Sequence, residues 1–289
     1  MNDAGFADQP HAFRPSALSL FGDRLFTLVV AAIVLAGVLL LVAPLVSVIG
    51  TSLNRPPAIV FPPTTFSLDS YSRIPGNWYG AFFASIKLAA VAALLGALIT
   101  VPAAFAIVRG KLPGRAFLET FFRSPLQVPQ VVLSVSLYQY YVLAQSIAGK
   151  NVFGGFQGLL VAHTLMVSPY ILGTLAGHIG GVDKSIEEAA EGLGARPLRT
   201  FFTVTLPMLR PALLAALILA FVISFDNVTV SLFLTADSST TTLPVTLFSA
   251  MELSASPVVF AAAAATIVVS IVVTSLLERL IGLRSVVAR

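Results

Sequence analysis

The chain is predicted to be an all-α, polytopic membrane protein with six transmembrane helices. Three observations carry that prediction. Hydrophobic residues make up 57% of the 289 residues and charged residues only 10%, against roughly a quarter in a soluble domain. Mean hydropathy is +0.92, so the chain lacks the polar residues to cover a water-facing surface. Six apolar runs reach about the 20 residues a helix needs to cross a bilayer.

The runs are taken in order. The first covers about residues 25–49. It is longer than the apolar region of a signal peptide and begins well inside the chain, so it is expected to be retained. Residues 1–20 before it are polar and are expected to form a loosely ordered tail, with 21–289 as the membrane domain. Residues 51–79 form the longest loop, containing Pro56, Pro57, Pro62, Pro63 and Pro75. It ends in Trp78 and Tyr79, whose amphipathic rings suit a membrane interface.

The second run covers about 82–108 and opens a core of residues 82–283. A tight turn, Arg109 to Arg115, follows. The third run, about 116–144, contains Pro125 and Pro129, which are expected to kink it. The fourth covers about 158–179, the fifth about 208–234 and the sixth about 257–281. The alanine run Ala261–Ala265 reads as close helix packing.

Charge sets the orientation. Six spans put both termini on one side, which also collects Arg14, Arg24, Arg109, Lys111, Arg115, Arg123, Lys184, Arg196, Arg199, Arg210, Arg279, Arg284 and Arg289. The other side holds Arg55, Arg73 and Lys150, with Lys87 near a helix end. The Lys/Arg-rich side is cytoplasmic by the positive-inside rule. The net charge of +4 is thus a topology signal, and no nucleic-acid partner is expected. With no cysteine there is no disulfide and no thiolate metal site. His163 and His178 are too isolated to hold a metal, and core hydrogen bonding is expected of them. No cofactor is expected.

One cytoplasmic stretch, residues 183–207, is polar between two apolar runs. Ser185 followed by Glu188 has capping-box spacing. Glu187, Glu188 and Glu191 lie early in the helix, where the macrodipole favours acids. Ile186, Ala189, Ala190 and Leu193 share one face. Gly192 and Gly194 end that helix, Pro197 suits the first turn of a second, and Pro207 marks the start of the fifth span. Read from the residues alone, this is either an amphipathic helix on the membrane or a docking site whose small residues admit another protein.

The spacing resembles a known pattern. Glu188-Ala189-Ala190, Gly194, Val204 and Leu206-Pro207 are similar to the EAA loop of ABC importer permeases, with Val204 where that family usually has Ile. Ser85-Ile86-Lys87-Leu88-Ala89 and Pro125-Leu126-Gln127-Val128-Pro129 resemble core segments of the same family. Ser224-Phe225-Asp226-Asn227-Val228 and Ser239-Thr240-Thr241-Thr242-Leu243-Pro244 resemble its spermidine/putrescine branch.

The resemblance implies the transmembrane domain of a type I ABC importer in a bacterial inner membrane, with no catalysis of its own. It implies three kinds of partner: a dimer of cytoplasmic ATP-binding subunits, a second permease subunit, and a periplasmic substrate-binding protein. By carry-over, Glu188, Ala189, Ala190, Gly194, Leu206 and Pro207 couple the loop to the ATP-binding subunit. The implied substrate is a small cationic or amine-containing, polyamine-like solute, with another small organic solute such as an amino-acid derivative or phosphonate as the alternative. On composition, a secondary transporter is a further reading.

Asp226 and Asn227 are the candidates for the substrate pathway. An acid near a helix centre costs roughly 2.5–3.5 kcal/mol on insertion scales, so Asp226 is expected to face a path or a partner. The competing reading is a hydrogen bond inside the bundle. The polyamine branch usually carries two consecutive acids here, and this chain has Asn227 at the second place. Tyr138, Tyr140 and Tyr141 are expected to pack rather than line the path. Enzyme readings lack support: there is no His-Glu-x-x-His, no phosphate loop, and no Gly-x-Ser-x-Gly near His163.

Overall fold

The computed structural model describes residues 17–281 apart from 56, 58, 111, 150–154 and 236–239. Among the described residues there are twelve α-helices, six of them long and apolar enough to span a membrane. The expected tail lies outside the described residues, except that positions 17–20 already belong to the first helix.

Helix α1 (Ala17–Ser52) packs on the last helix of the chain, and its lipid-length apolar run is exposed throughout. Its last turn is buried under an ordered loop. Asn54, fully buried, donates to the carbonyls of Val60 (2.6 Å) and Thr51 (3.2 Å), and Ser52 hydrogen-bonds Tyr71 at 2.8 Å. The short α2 (Asp69–Ser72) belongs to this cap. Helix α3 (Gly76–Val108) begins six residues before the expected span, directly after Pro75, so Trp78 and Tyr79 sit in its first turn.

The third span corrects an expectation. Pro125 and Pro129 separate two helices rather than kink one. Helix α4 (Arg115–Arg123) precedes a single 3₁₀ turn at Ser124–Leu126, and only α5 (Gln130–Ala148) is a span. Each proline lacks the N–H that would continue the ladder and clashes with the carbonyl four residues back. Two of them four residues apart leave no room for a helical register between them. Helix α4 carries Phe117 and Phe121 exposed and stacked on one side, and an Arg123–Glu119 pair at 3.1 Å on another.

Helix α6 (Phe156–Gly181) follows as expected. Next come α7 (Lys184–Gly192) and α8 (Pro197–Thr200), and a π-helical turn, Phe201–Thr205, leads into α9 (Leu206–Phe225). The fifth span is also interrupted: α9 stops at Phe225, and α10 (Thr229–Leu234) restarts after Asp226, Asn227 and Val228. Helix α11 (Leu243–Leu253), which hydropathy did not single out, precedes α12 (Pro257–Ile281).

The core is the triangle of α3, α6 and α9. Apolar lipid tails give no hydrophobic drive for helices to associate, so close van der Waals contact must hold them. Small residues permit it. Ala212, Ala216 and Ala220, one helical turn apart on α9, are all buried. On α3, a Cβ at Gly96 would stand 3.0 Å from the side chains of Ile171 and Val167, so glycine sets the closeness of α3 and α6. Ala261, Ala262 and Ala264 are buried too, in line with the packing expected of that run.

Candidate functional site

The loop between the fourth and fifth spans is built by its end signals. Helix α7 is capped by Asp183, whose carboxylate accepts the N–H of Ser185 at 2.9 Å. The expected Ser185–Glu188 capping box is therefore shifted: the cap lies two residues earlier, where Val182 and Asp183 are extended. An aspartate cap also accepts charge-assisted hydrogen bonds. Bonding from Ser185, its backbone N–H first, holds the Asp183 carboxyl below its ordinary pKa range.

The helix ends as a Schellman turn. Ala195 N–H donates to Ala190 O at 3.1 Å and Gly194 N–H to Glu191 O at 2.9 Å, with Gly194 at φ +91°. That left-handed conformation is open to glycine and costs other residues. A Cβ at Gly194 would meet nothing within 4 Å, so the requirement within this chain is for backbone shape. Pro197 then starts α8, as expected.

The shared apolar face of α7 points mostly away from the bundle. Of Ile186, Ala189, Ala190 and Leu193, only Ala190 is half-buried; Leu193 is 91% exposed, and Glu188 and Ala189 also face outward. Leu198 and Phe202 extend the outward apolar surface past α8. Leu206 and Pro207 form the first turn of α9, and Leu206 N–H pairs with Phe201 O, five residues back. This wider turn accommodates a proline that cannot donate to Thr203.

What points inward is a residue the motif does not contain. Glu187 pairs with Arg109 at the end of α3 and accepts the Thr205 hydroxyl at 2.7 Å. Arg109 also donates to the carbonyls of Ile179 (3.0 Å) and Val182 (2.7 Å), the unpaired end of α6. In the sequence, Arg109 reads only as a topology charge at the start of a tight turn. Its position at a helix end facing an acidic loop was the available signal.

The second polar region is the break between α9 and α10. Asn227 is buried, and its Oδ1 accepts the Val230 N–H at 2.8 Å, so the side chain opens α10. Its Nδ2 donates to Gln130 Oε1 and lies against Met166 Sδ, both at 3.2 Å. His163, fully buried on α6, spans the break: Nδ1 lies 2.8 Å from Ser224 Oγ and Nε2 3.0 Å from Ser231 Oγ. A hydroxyl beside an imidazole is nucleophile–base geometry, but all three groups are sealed in the core, and they satisfy one another. The core role expected of His163 holds, whereas His178 is exposed and, among the described residues, hydrogen-bonds only Thr174 O of its own helix.

Asp226 differs from both neighbours. It stands at the end of α9, not at the centre of a continuous helix, and its side chain is exposed. Among the described residues it has no side-chain hydrogen bond or ion pair. Asp226 and Asn227 are thus adjacent in sequence but separate in role: Asn227 is spent inside the bundle, and Asp226 is left on its surface. The tyrosines divide likewise. Tyr141 is buried and donates to Gly158 O at 2.9 Å, while Tyr138 and Tyr140 face outward. Two segments singled out in the sequence also meet: Ser85 Oγ accepts the Leu243 N–H at 2.8 Å, which pins α11 to α3.

A loop with an outward apolar face, set on a small-residue bundle with a broken fifth span, can be compared with known proteins. The family described as "binding-protein-dependent transport system inner membrane component" matches residues 94–284. The chain belongs to that family. This permease is 32% identical over 192 residues to the putrescine transport system permease protein PotI of Escherichia coli (strain K12), covering 63% of this chain and 68% of PotI. It is 28% identical over 229 residues to the spermidine/putrescine transport system permease protein PotC of Haemophilus influenzae, covering 74% and 86%.

Among solved structures, a bacterial ABC transporter involved in import of the acidic polysaccharide alginate aligns at TM-score 0.67 and 16% identity, covering 92% of this chain and 98% of that one. The MetNI methionine ABC transporter aligns at TM-score 0.57, also at 16% identity, covering 70% and 93%. At such identities these share the fold alone. The protein is therefore a multi-pass inner-membrane permease subunit of an ABC importer. Its family implies a binding protein and an ATP-binding subunit as companions.

Proposed function

We propose that this permease carries a small, cationic, polyamine-like solute past Asp226, driven through a coupling helix formed by α7. The observation that carries the substrate reading is the Asp226 carboxylate, exposed and unpartnered at the α9–α10 break. A carboxylate in lipid is costly unless water, a donor or a cation meets it. A solute amine supplies both charge and hydrogen bonds. The names of PotI and PotC support the same class of solute. Asn227 leaves the site with one acid, which also suits a singly charged or zwitterionic amine.

The outward face of α7, with Glu188, Ala189 and Leu193, is the docking surface for the ATP-binding subunit. Ala190, Gly194, Leu206 and Pro207 give that surface its shape. A second, homologous permease completes the pathway, and both termini lie in the cytoplasm. The Glu188 side chain is exposed and has no hydrogen bond or ion pair among the described residues, as a docking surface requires.

The experiment is uptake in proteoliposomes containing both permeases and the ATP-binding subunit, with the cognate binding protein outside. Labelled putrescine should accumulate with ATP and be competed by spermidine but not by a neutral diol of equal length. Competition by the diol, or uptake of an anionic solute instead, would overturn the substrate reading. Leu193→Asp should release the ATP-binding subunit during purification; its full retention would overturn the docking surface.

A further inference from the structure

Glu187 is the acid of α7 that turns inward, while Glu188 and Glu191 are exposed. Its two carboxylate oxygens go to different spans: Oε2 to Arg109 of α3, and Oε1 to Thr205 immediately before α9. Arg109 adds the end of α6 through the Ile179 and Val182 carbonyls. One side chain thus ties α7 to the cytoplasmic ends of all three core helices. The partners lie 78 and 18 residues away in the chain, so the tie is not a by-product of local helix geometry. The chain on either side of α7 leaves the helical path. Before it, Val182 and Asp183 are extended; after it come the Gly194 turn and an extended Arg196.

We propose that Glu187 is a positioning residue of the transport cycle, locking α7 to α3 and α9. A displacement imposed on the outward face of α7 then reaches the spans instead of being absorbed in the two flanking turns. This inference rests on the reading of α7 as the docking helix. It adds what that reading lacks, a route from the docked face to the bundle. The carboxylate is suited to the task because each of its oxygens accepts a directional hydrogen bond, one of them charge-assisted. The pair is also largely withdrawn from water, with the Arg109 and Glu187 side chains 12% and 20% exposed, so salt screens it little.

The test uses the assembled transporter. The permease has no cysteine, so Lys184→Cys on α7 and Leu98→Cys on α3, both exposed, can be spin-labelled specifically with cysteine-free partner subunits. The interspin distance is measured without nucleotide and after trapping with ATP and vanadate. With Glu187 present, one narrow distance is expected in both states, because α7 and α3 move together. In Glu187→Ala the trapped state should lose that single distance. Putrescine transported per ATP hydrolysed should fall by about tenfold or more, the scale of one charged hydrogen bond.

Thr205→Val removes one arm and should give a smaller loss. Because Thr205 reaches α7 through Glu187, it should add nothing in the Glu187→Ala background. A narrow distance and an unchanged transport ratio in Glu187→Ala would overturn the proposal, as would a multiplied loss in the double variant. If Glu187→Ala does not assemble, Glu187→Gln and Thr205→Val carry the same measurement. Failure of the docking reading looks different: the ATP-binding subunit stays bound to Leu193→Asp whatever Glu187 does. Failure of the polyamine reading abolishes putrescine uptake in the unmodified complex and leaves the distance measurement intact.

Discussion

Asn227→Leu and Asp226→Asn, one residue apart, are expected to fail in opposite ways. Leucine has the same branched heavy-atom skeleton as asparagine but neither accepts nor donates. It strands the buried Val230 N–H and releases Gln130 Oε1. Loss of the side-chain cap costs about 1 kcal/mol, and an interhelical hydrogen bond in a membrane averages about 0.6 kcal/mol. The Met166 sulfur is a weak acceptor and adds little. The sum is about 1.6 kcal/mol, about a fifteenfold shift in the folding equilibrium. Asp226→Asn breaks no bond within the described chain and removes a charge, so stability should hold or rise. The assay is reversible unfolding of the purified permease by SDS in mixed micelles, with uptake measured in parallel. Asn227→Leu should unfold at lower SDS, with uptake falling in step with the folded fraction. Asp226→Asn should fold normally and lose uptake of a cationic solute. Asn227→Leu as stable as the original would refute the account of the break. Normal uptake by Asp226→Asn would remove Asp226 from the pathway.

The remaining predictions concern the loop and the topology. Gly194→Ala should weaken the α7–α8 turn by about 1 kcal/mol, because the left-handed conformation disfavours any Cβ. Gly194→Trp should in addition block docking, since space around Gly194 is open in the chain alone; equal retention of the ATP-binding subunit by both variants would limit the role of Gly194 to backbone shape. The Asp183 cap has a depressed pKa, so its contribution is fully present above the ordinary carboxylate value of about 4 and is lost as pH falls through the lower folded value. Thermal stability should therefore drop between pH 5 and strongly acid pH more in the original than in Asp183→Asn, which caps without titrating. A reporter fused after Arg289 should be active in the cytoplasm, and periplasmic activity would reverse the topology.

The parts of this molecule legible in its sequence are those set by neighbours in the chain. Spans follow from runs of apolar residues, the turn at Gly194 from one glycine, and the start of α8 from Pro197. Where two local signals competed, the sequence was ambiguous. The apolar run around Pro125 and Pro129 read as one kinked span, although two missing donors so close together end a helix. Asp226 and Asn227 read as polar residues within a span, although asparagine can take over a backbone N–H and break it. Contacts between distant segments were not legible. Arg109 and Glu187 are 78 residues apart, His163 and Ser231 68, and Ser85 and Leu243 158. No periodicity encodes such pairs, and the EAA pattern drew attention to Glu188, beside the acid that the fold uses internally.

Hydrogen-bond satisfaction separates structural from functional polar residues in this bundle. A membrane interior offers no water, so a polar side chain is kept by a partner helix or by something outside the chain. His163, Ser224, Ser231, Asn227, Ser85 and Tyr141 each have their partner within the fold. Thr100, Thr164 and Thr242 leave a hydroxyl without one, a modest cost for a neutral group that also has an apolar methyl to pack. Asp226 is the case that neither explanation covers, because a carboxylate has no apolar part to compensate and its desolvation is larger than a hydroxyl's. The break beside it is braced by His163 and Asn227, which hold the chain ends without using the acid. The same brace that frees Asp226 from structural duty fixes its position at the end of α9. A fixed carboxylate with no partner among the described residues, at an interrupted span, is the feature on which the proposed cation pathway rests.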